Sequence, residues 1–311
     1  MRIASLLPSA TEIAFALGLG DQVVAVSHEC DYPPEASKRP ALTKSAIHQK
    51  IHSSHKVDEE VERRGGDIYE IDEKLLEKLK PDLILTQELC AVCAVSYTKV
   101  KEAARILDAE TKIVSLEPSN LEEILENIRP LGKITGKSSK AEEVVSRLSQ
   151  RIDRLREKTR SMSRRPRVFF MEWLQPPWVG GHWIPQMISY AGGVDGLGNL
   201  GEPSQRIDWD RVVEYQPEII VLSPCGFDVQ RILEEVHVLS SYSGWNKIPA
   251  IQSSNIYAVN ASAYFSRPGP RVVDGLEMLA QIIHPELFPQ RYGQDDLTKI
   301  DPTLLKASSD F

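Results

Sequence analysis

Two stretches of the chain, IDEKLLEKLKPDLIL (71–85) and IDWDRVVEYQPEIIV (207–221), align without a gap at an offset of 136 residues. Each reads as one unit: an Asp caps a two-turn helix, a Pro ends it, and a short apolar run suits a strand buried on both faces. Four of the fifteen positions are identical, pairing Ile71 with Ile207, Asp72 with Asp208, Pro81 with Pro217 and Ile84 with Ile220. One such match is also the ordinary grammar of any doubly wound protein. A second, looser match falls in the corresponding place: RIASLLP (2–8) and RVFFMEW (167–173) each begin a strand and lead through a loop into a helix ending at a glycine, Gly18 and Gly192. Together they predict an α/β chain of two similar lobes, for which 311 residues give room, since a domain usually holds about 100–200.

Strands are expected near 2–7, 22–26, 67–70, 82–86 and 112–116 in the first lobe, and near 167–171, 218–222 and 255–259 in the second. Helices fill the intervals, so the sheets should be largely parallel. Between the lobes, Ala141, Val144, Val145, Leu148, Ile152 and Leu155 recur at three and four residues, the stripe of one long helix. It reads as a single connection between lobes; a peripheral helix of one large domain is the other reading. The expected boundaries are a first lobe at 1–136, the helix at 137–162, a second lobe at 163–287 and a loose polar extension at 288–311.

The formal charge is −7, and no Lys/Arg cluster longer than RSMSRRPR occurs, so nucleic acid is not an expected partner. No apolar run approaches the roughly 18–20 residues of a membrane-spanning helix. Pro8, Ser9, Thr11 and Glu12 interrupt any secretory core near the N-terminus, and four cysteines are too few for a disulfide framework. The sequence as it stands is expected in the cytosol as a monomer; a removed leader would place it in the periplasm or at the cell surface.

Ligands of open parallel sheets bind beyond the carboxyl ends of the strands. After the first expected strand, Pro8 and Ser9 open PSATE, where Ser9 and Glu12 form a capping box whose free N–H groups could also meet a ligand. SHECDYPP follows the second with His28, Glu29, Cys30 and Tyr32, and QELCAVC follows the fourth with Gln87 and Glu88. In the second lobe EWLQPPWVGGHW carries Glu172, Trp173, Trp178, His182 and Trp183, and NASAYFSRPGPR adds Tyr264, Phe265 and Arg267. Three of five tryptophans in one Pro/Gly-rich loop suit a large, flat, partly apolar ligand. Packing against the neighbouring lobe or the sheet edge also accounts for them.

The stretches RIASLLPSATEIAFALGLGDQVVAVSHECDYPP, LKPDLIL, PPWVGGHWIPQMISYAGG and QPEIIVLS resemble the cobalamin and iron-siderophore binding proteins of ABC importers, most of all the cobalamin-binding branch, over roughly residues 2–285. The resemblance implies two Rossmann-like lobes joined by one long helix, no catalysis and no required cofactor. It also implies a corrinoid or related metal chelate held between aromatic side chains in the cleft, and delivery to a membrane permease. Glu29 and Gln87 stand where the family has ring-contacting aromatics. Permease docking through one acid near the start of equivalent helices carries over to Asp210, and in the first lobe to Glu73, beside Lys74 at the matching position.

His28 and Cys30 leave one strand end while Cys90 and Cys93 leave another, a set that could hold zinc or iron. A Cys90/Cys93 redox pair, thiols touching a ligand, and plain packing are the other readings. His48, His52 and His55 read as a solvated segment, and Cys225 as structural. The alternative function is a cytosolic metal- or redox-dependent enzyme using this Cys/His cluster; no hydrolase triad order, phosphate loop or dinucleotide fingerprint occurs.

Overall fold

The computed structural model describes residues 1–47, 52–66, 68–87, 97–107 and 111–305. Glu88, Cys90, Cys93 and His48 lie outside the described residues.

The two copies of the repeat fold alike. Helix Glu73–Leu79 is capped by Asp72, whose carboxylate accepts from the Leu75 N–H at 2.9 Å, and ends at Lys80 with φ 43°. Helix Trp209–Tyr215 follows Asp208, which makes no side-chain capping bond, and ends at Gln216 with φ 53°. Both ends are left-handed in residues other than glycine, an uncommon geometry repeated 136 positions apart. Pro81 and Pro217 then preclude a further turn, and a strand follows each.

The first half holds β1 (Ile3–Ser5), β2 (Val23–Val26), β3 (Thr43–Ser45), β4 (Tyr69–Ile71), β5 (Leu83–Thr86) and β6 (Lys112–Ser115). The second holds β7 (Val168–Trp173), β8 (Trp178–Val179), β9 (Gln205–Arg206), β10 (Ile219–Leu222), β11 (Ile256–Val259) and β12 (Leu297–Lys299). One sheet runs β2-β1-β5-β6, all parallel; the other runs β12-β11-β10-β7-β8-β9, with β7, β10 and β11 parallel and the outer strands antiparallel. The trio β1-β5-β6 thus corresponds to β7-β10-β11, and antiparallel β8 takes the place that parallel β2 has beside β1. These are the two α/β lobes, joined by helix Ser138–Arg160.

Four expectations need correction. The segment near 67–70 is β4, which lies outside the parallel sheet β2-β1-β5-β6 and pairs antiparallel with β3 in a separate two-stranded sheet. EWLQPPWVGGHW is not a loop throughout: β7 runs on to Trp173 and the chain returns as β8, pairing Trp173 with Trp178. Ser9 and Glu12 form no capping box, since helix Pro8–Ala16 takes Leu7 as its N-cap and makes no side-chain cap bond. The tail beyond 287 is not loose over its described part: β12 adds an antiparallel edge to β11 and buries Ile300.

Side chains alternate across each sheet, as a strand's period of two requires. Leu83 and Leu85 join one core while Ile84 joins another, and Val168 and Phe170 separate from Phe169 and Met171 in the same way. The linking helix buries Ala141, Val144, Val145, Leu148, Ile152 and Leu155, the stripe expected of it, and extends to Thr159. Its 23 residues span about 35 Å at 1.5 Å each.

Candidate functional site

A cavity of about 360 Å³ opens between the lobes at the carboxyl ends of their parallel strands. β1 leads to Leu7, Pro8 and Ser9, β2 to Glu29, and β5 to Gln87; β7 ends in Glu172 and Trp173, β10 leads to Cys225 and Gly226, and β11 to Ser262, Phe265 and Arg267. β8 and the following turn add Trp178, Gly181, His182, Trp183 and Ile184. Helix Ser54–Arg63 supplies one wall through Val57, Asp58 and Val61, beside Tyr69 of β4.

The surface of the wall is mainly aromatic and aliphatic, with polar side chains set into it. Gly181 N–H donates to Ser204 Oγ at 3.0 Å, and Ser204 Oγ donates to Glu172 Oε2 at 2.8 Å. Only glycine fits at 181, where a Cβ would collide with the backbone of residues 202–204. Burial raises the Glu172 carboxyl to about 7, the bonds from Ser204 and Gly181 opposing it; what exposure the side chain keeps is to the cavity. The neighbouring His182 has φ 49°, and burial lowers its imidazole below the usual value, so it is neutral near pH 7. Gln87 Oε1, Trp178 Nε1 and His182 Nε2 are buried without a hydrogen-bond partner among the described residues.

Ionic bridges close both flanks. On one, Arg267 pairs with Asp31 and donates to the Glu29 carbonyl at 2.9 Å, while Arg271 pairs with buried Glu12 at 2.7 Å and stacks over Tyr32 at 4.0 Å. On the other, Glu235 of the second lobe accepts from Ser54 N–H at 2.7 Å and Ser54 Oγ at 2.6 Å. Arg231 donates to His52 O at 2.7 Å, Trp173 Nε1 to Ser54 O at 3.1 Å, and Arg206 to Asp58 at 2.6 Å. The segment read as solvated is therefore fastened to the opposite lobe, with Ser54 fully buried; His55 alone of its described histidines is exposed.

Of the residues chosen from sequence, Pro8, Ser9, Glu29, Gln87, Glu172, Trp173, Trp178, His182, Trp183, Phe265 and Arg267 line the cavity. His28, Cys30, Tyr32 and Tyr264 do not. The first two are engaged elsewhere: His28 Nδ1 lies 2.7 Å from Thr43 Oγ1, and Cys30 Sγ lies 3.1 Å from Thr11 Oγ1. Burial pushes the Cys30 thiol up to about 12, so it packs as a neutral thiol. No group of three or more His, Cys, Asp or Glu among the described residues could hold a metal ion. Tyr32 lies on the outer flank under Arg271, and Tyr264 sits against Tyr292, their ring centroids 6.0 Å apart. Cys225, read as structural, lines the cavity instead. Glu73 and Asp210 are both exposed in the first turns of the equivalent helices. Sequence reasoning missed Val57, Asp58, Val61 and Ser204; a Val pair four apart in a polar stretch was the signal available for the first three.

The profile of the periplasmic binding protein family matches residues 3–263. The chain belongs to that family. It is 30% identical over 288 residues to a vitamin B12-binding protein of Vibrio cholerae serotype O1, covering 89% of this chain and 87% of that one. It is 26% identical over 294 residues to an ABC transporter substrate-binding lipoprotein of Bacillus subtilis, covering 93% and 82%. Among solved structures, the periplasmic vitamin B12 binding protein of Vibrio cholerae aligns at TM-score 0.66 and 26% identity over 93% of this chain and 98% of that one. A periplasmic heme-binding protein of Roseiflexus sp. RS-1 aligns at 0.67 and 22% over 91% and 98%, a likeness of fold. This is a binding protein of the ABC-transporter type, in a family of solute-binding proteins that take a small-molecule ligand and work with a permease. No described helix is long and apolar enough to cross a membrane.

Proposed function

We propose that the cleft captures a corrinoid, a cobalamin-like planar metal chelate, and that the protein carries it without chemical change to an ABC permease outside the cytoplasm. The observation that carries this reading is the wall itself: Trp173, Trp178, Trp183 and Phe265 from one lobe face Leu7, Pro8 and Tyr69 from the other across one cavity. Broad apolar and aromatic surfaces on two opposed faces suit a flat macrocycle, and a few convergent polar groups suffice to orient it. Similarity in sequence and in fold to the vitamin B12-binding protein of Vibrio cholerae supports the choice of macrocycle. Glu73 and Asp210, exposed on equivalent helices, are the acids through which we propose the permease docks.

Purified protein titrated with cyanocobalamin or dicyanocobinamide should lose tryptophan fluorescence saturably with one ligand per chain. Trp178→Ala should weaken binding about tenfold or more, as truncating an aromatic anchor does. Absence of binding to either corrinoid at micromolar protein removes the proposal.

A further inference from the structure

The charged groups of the cavity are balanced except at one point. Arg267, the one Arg or Lys that lines it among the described residues, is paired with Asp31; Asp58 is paired with Arg206, and Glu29 Oε1 lies 3.3 Å from His28 Nε2, which leaves Glu172. The other arginines at the margins are likewise matched, Arg206 by Asp58, Arg231 by Glu235 and Arg271 by Glu12. Among the described residues, a ligand carboxylate entering this space meets no unmatched guanidinium and comes up against Glu172, whose side-chain partner is a serine hydroxyl and not a cation. Like charges brought together in a partly desolvated site repel strongly and weaken binding.

An independent observation concerns Gln87. Its side chain is 3% exposed, it lines the cavity from the first lobe, and its Oε1 accepts no hydrogen bond among the described residues. An acceptor in such a place calls for an N–H or O–H donor from outside the protein, since a buried polar atom left unpaired is costly. Opposite it, the Glu172 carboxylate has acceptor capacity beyond its bond from Ser204.

We propose that the cleft selects its chelate by the substituents on the macrocycle rim, admitting neutral primary amides and rejecting carboxylates, with Gln87 and Glu172 as acceptors for amide N–H groups. The inference rests on the corrinoid reading and sharpens it. Corrinoids of the cobinamide type carry amides on the rim, whereas porphyrins of the heme type carry carboxylates; two chelates of similar flatness are thereby separated by charge.

The test compares three probes on the full chain at pH 8 by calorimetry: dicyanocobinamide, cobyrinic acid with the same cobalt and corrin ring but carboxylates on its rim, and hemin. Dicyanocobinamide should bind about 100-fold more tightly than either carboxylated probe. Glu172→Gln should narrow that ratio about tenfold, chiefly by improving cobyrinic acid. The wild-type ratio needs no variant, so a poorly folding Glu172→Gln leaves the proposal testable. Equal or tighter binding of cobyrinic acid overturns the selectivity while leaving the corrinoid reading in place; failure of all three probes to bind, or binding of hemin alone, overturns both.

Discussion

Glu172 shows what a carboxyl costs when a fold surrounds it. Its value moves from 4.5 to about 7 because burial disfavours the charge more than Ser204 and Gly181 support it. Between those two values the folded protein holds a proton that the unfolded chain has released, so stability falls as pH rises through that window, and the full penalty is present above it. At 1.36 kcal/mol per unit the penalty has a ceiling of about 3 kcal/mol, reduced by whatever water the cavity admits. Glu172→Gln removes the charge and keeps an acceptor for Ser204. Its melting temperature should exceed the wild-type value by several degrees at pH 8, about 2–4 °C per kcal/mol for a chain of this order of size, and the gap should shrink at pH 5. A gap of the same size at both pH values would mean that the carboxyl titrates normally in the fold.

Helix Ser54–Arg63 illustrates what a segment gains from partners distant in sequence. Its composition, SHKVDEEVER, is that of a solvated helix, yet Val57 and Val61 face the cavity while Ser54 and Asp58 bind the opposite lobe. Glu235 is the centre of that fastening: it takes Ser54 N–H and Oγ at the helix N-terminus and pairs with Arg231 at 3.0 Å. Carboxylates suit that end of a helix dipole, and this one is nearly buried. Glu235→Ala leaves Arg231 short of its buried partner and Ser54 N–H without an acceptor, which should cost about 3 kcal/mol. Hydrogen exchange should rise over residues 52–63 and stay unchanged over helix Glu73–Leu79; unchanged exchange in both would refute the role given to Glu235. The same helix marks where sequence reasoning stops. Asp72, Pro81 and the apolar run after it are local signals, so β5 and β10 and the strand-end loops were legible from a few neighbouring residues. The contact between Ser54 and Glu235 spans 181 positions, and nothing near either residue announces it. Cys30 makes a related point: its burial against Thr11, which keeps it out of the cavity wall, depends on a contact 19 positions away that the H-x-C spacing does not announce.

Two sheets and a cleft invite the picture of two independent lobes, but the core is shared. Ile3, Leu83 and Leu85 of the first lobe join Leu131, then Val144, Leu148 and Ile152 of the linking helix, then Val168, Phe170, Met187 and Leu276 of the second, in one continuous apolar cluster. Arg151 adds charge-paired contacts from the same helix to Asp274 at 2.6 Å and Glu277 at 2.8 Å. The helix is therefore packed along its length against both lobes. The flanking bridges tie the same lobes together a second time, through side chains at the cavity margins. A core of this kind should unfold as a unit, so calorimetry should give a single transition with van't Hoff and calorimetric enthalpies in agreement. Ile152→Asp, which places a charge in the middle of the shared cluster at a site only 6% exposed, should lower that one transition without dividing it. Two resolved transitions in the wild-type chain would mean that each lobe melts on its own and that the linking helix is a tether, not part of a common core.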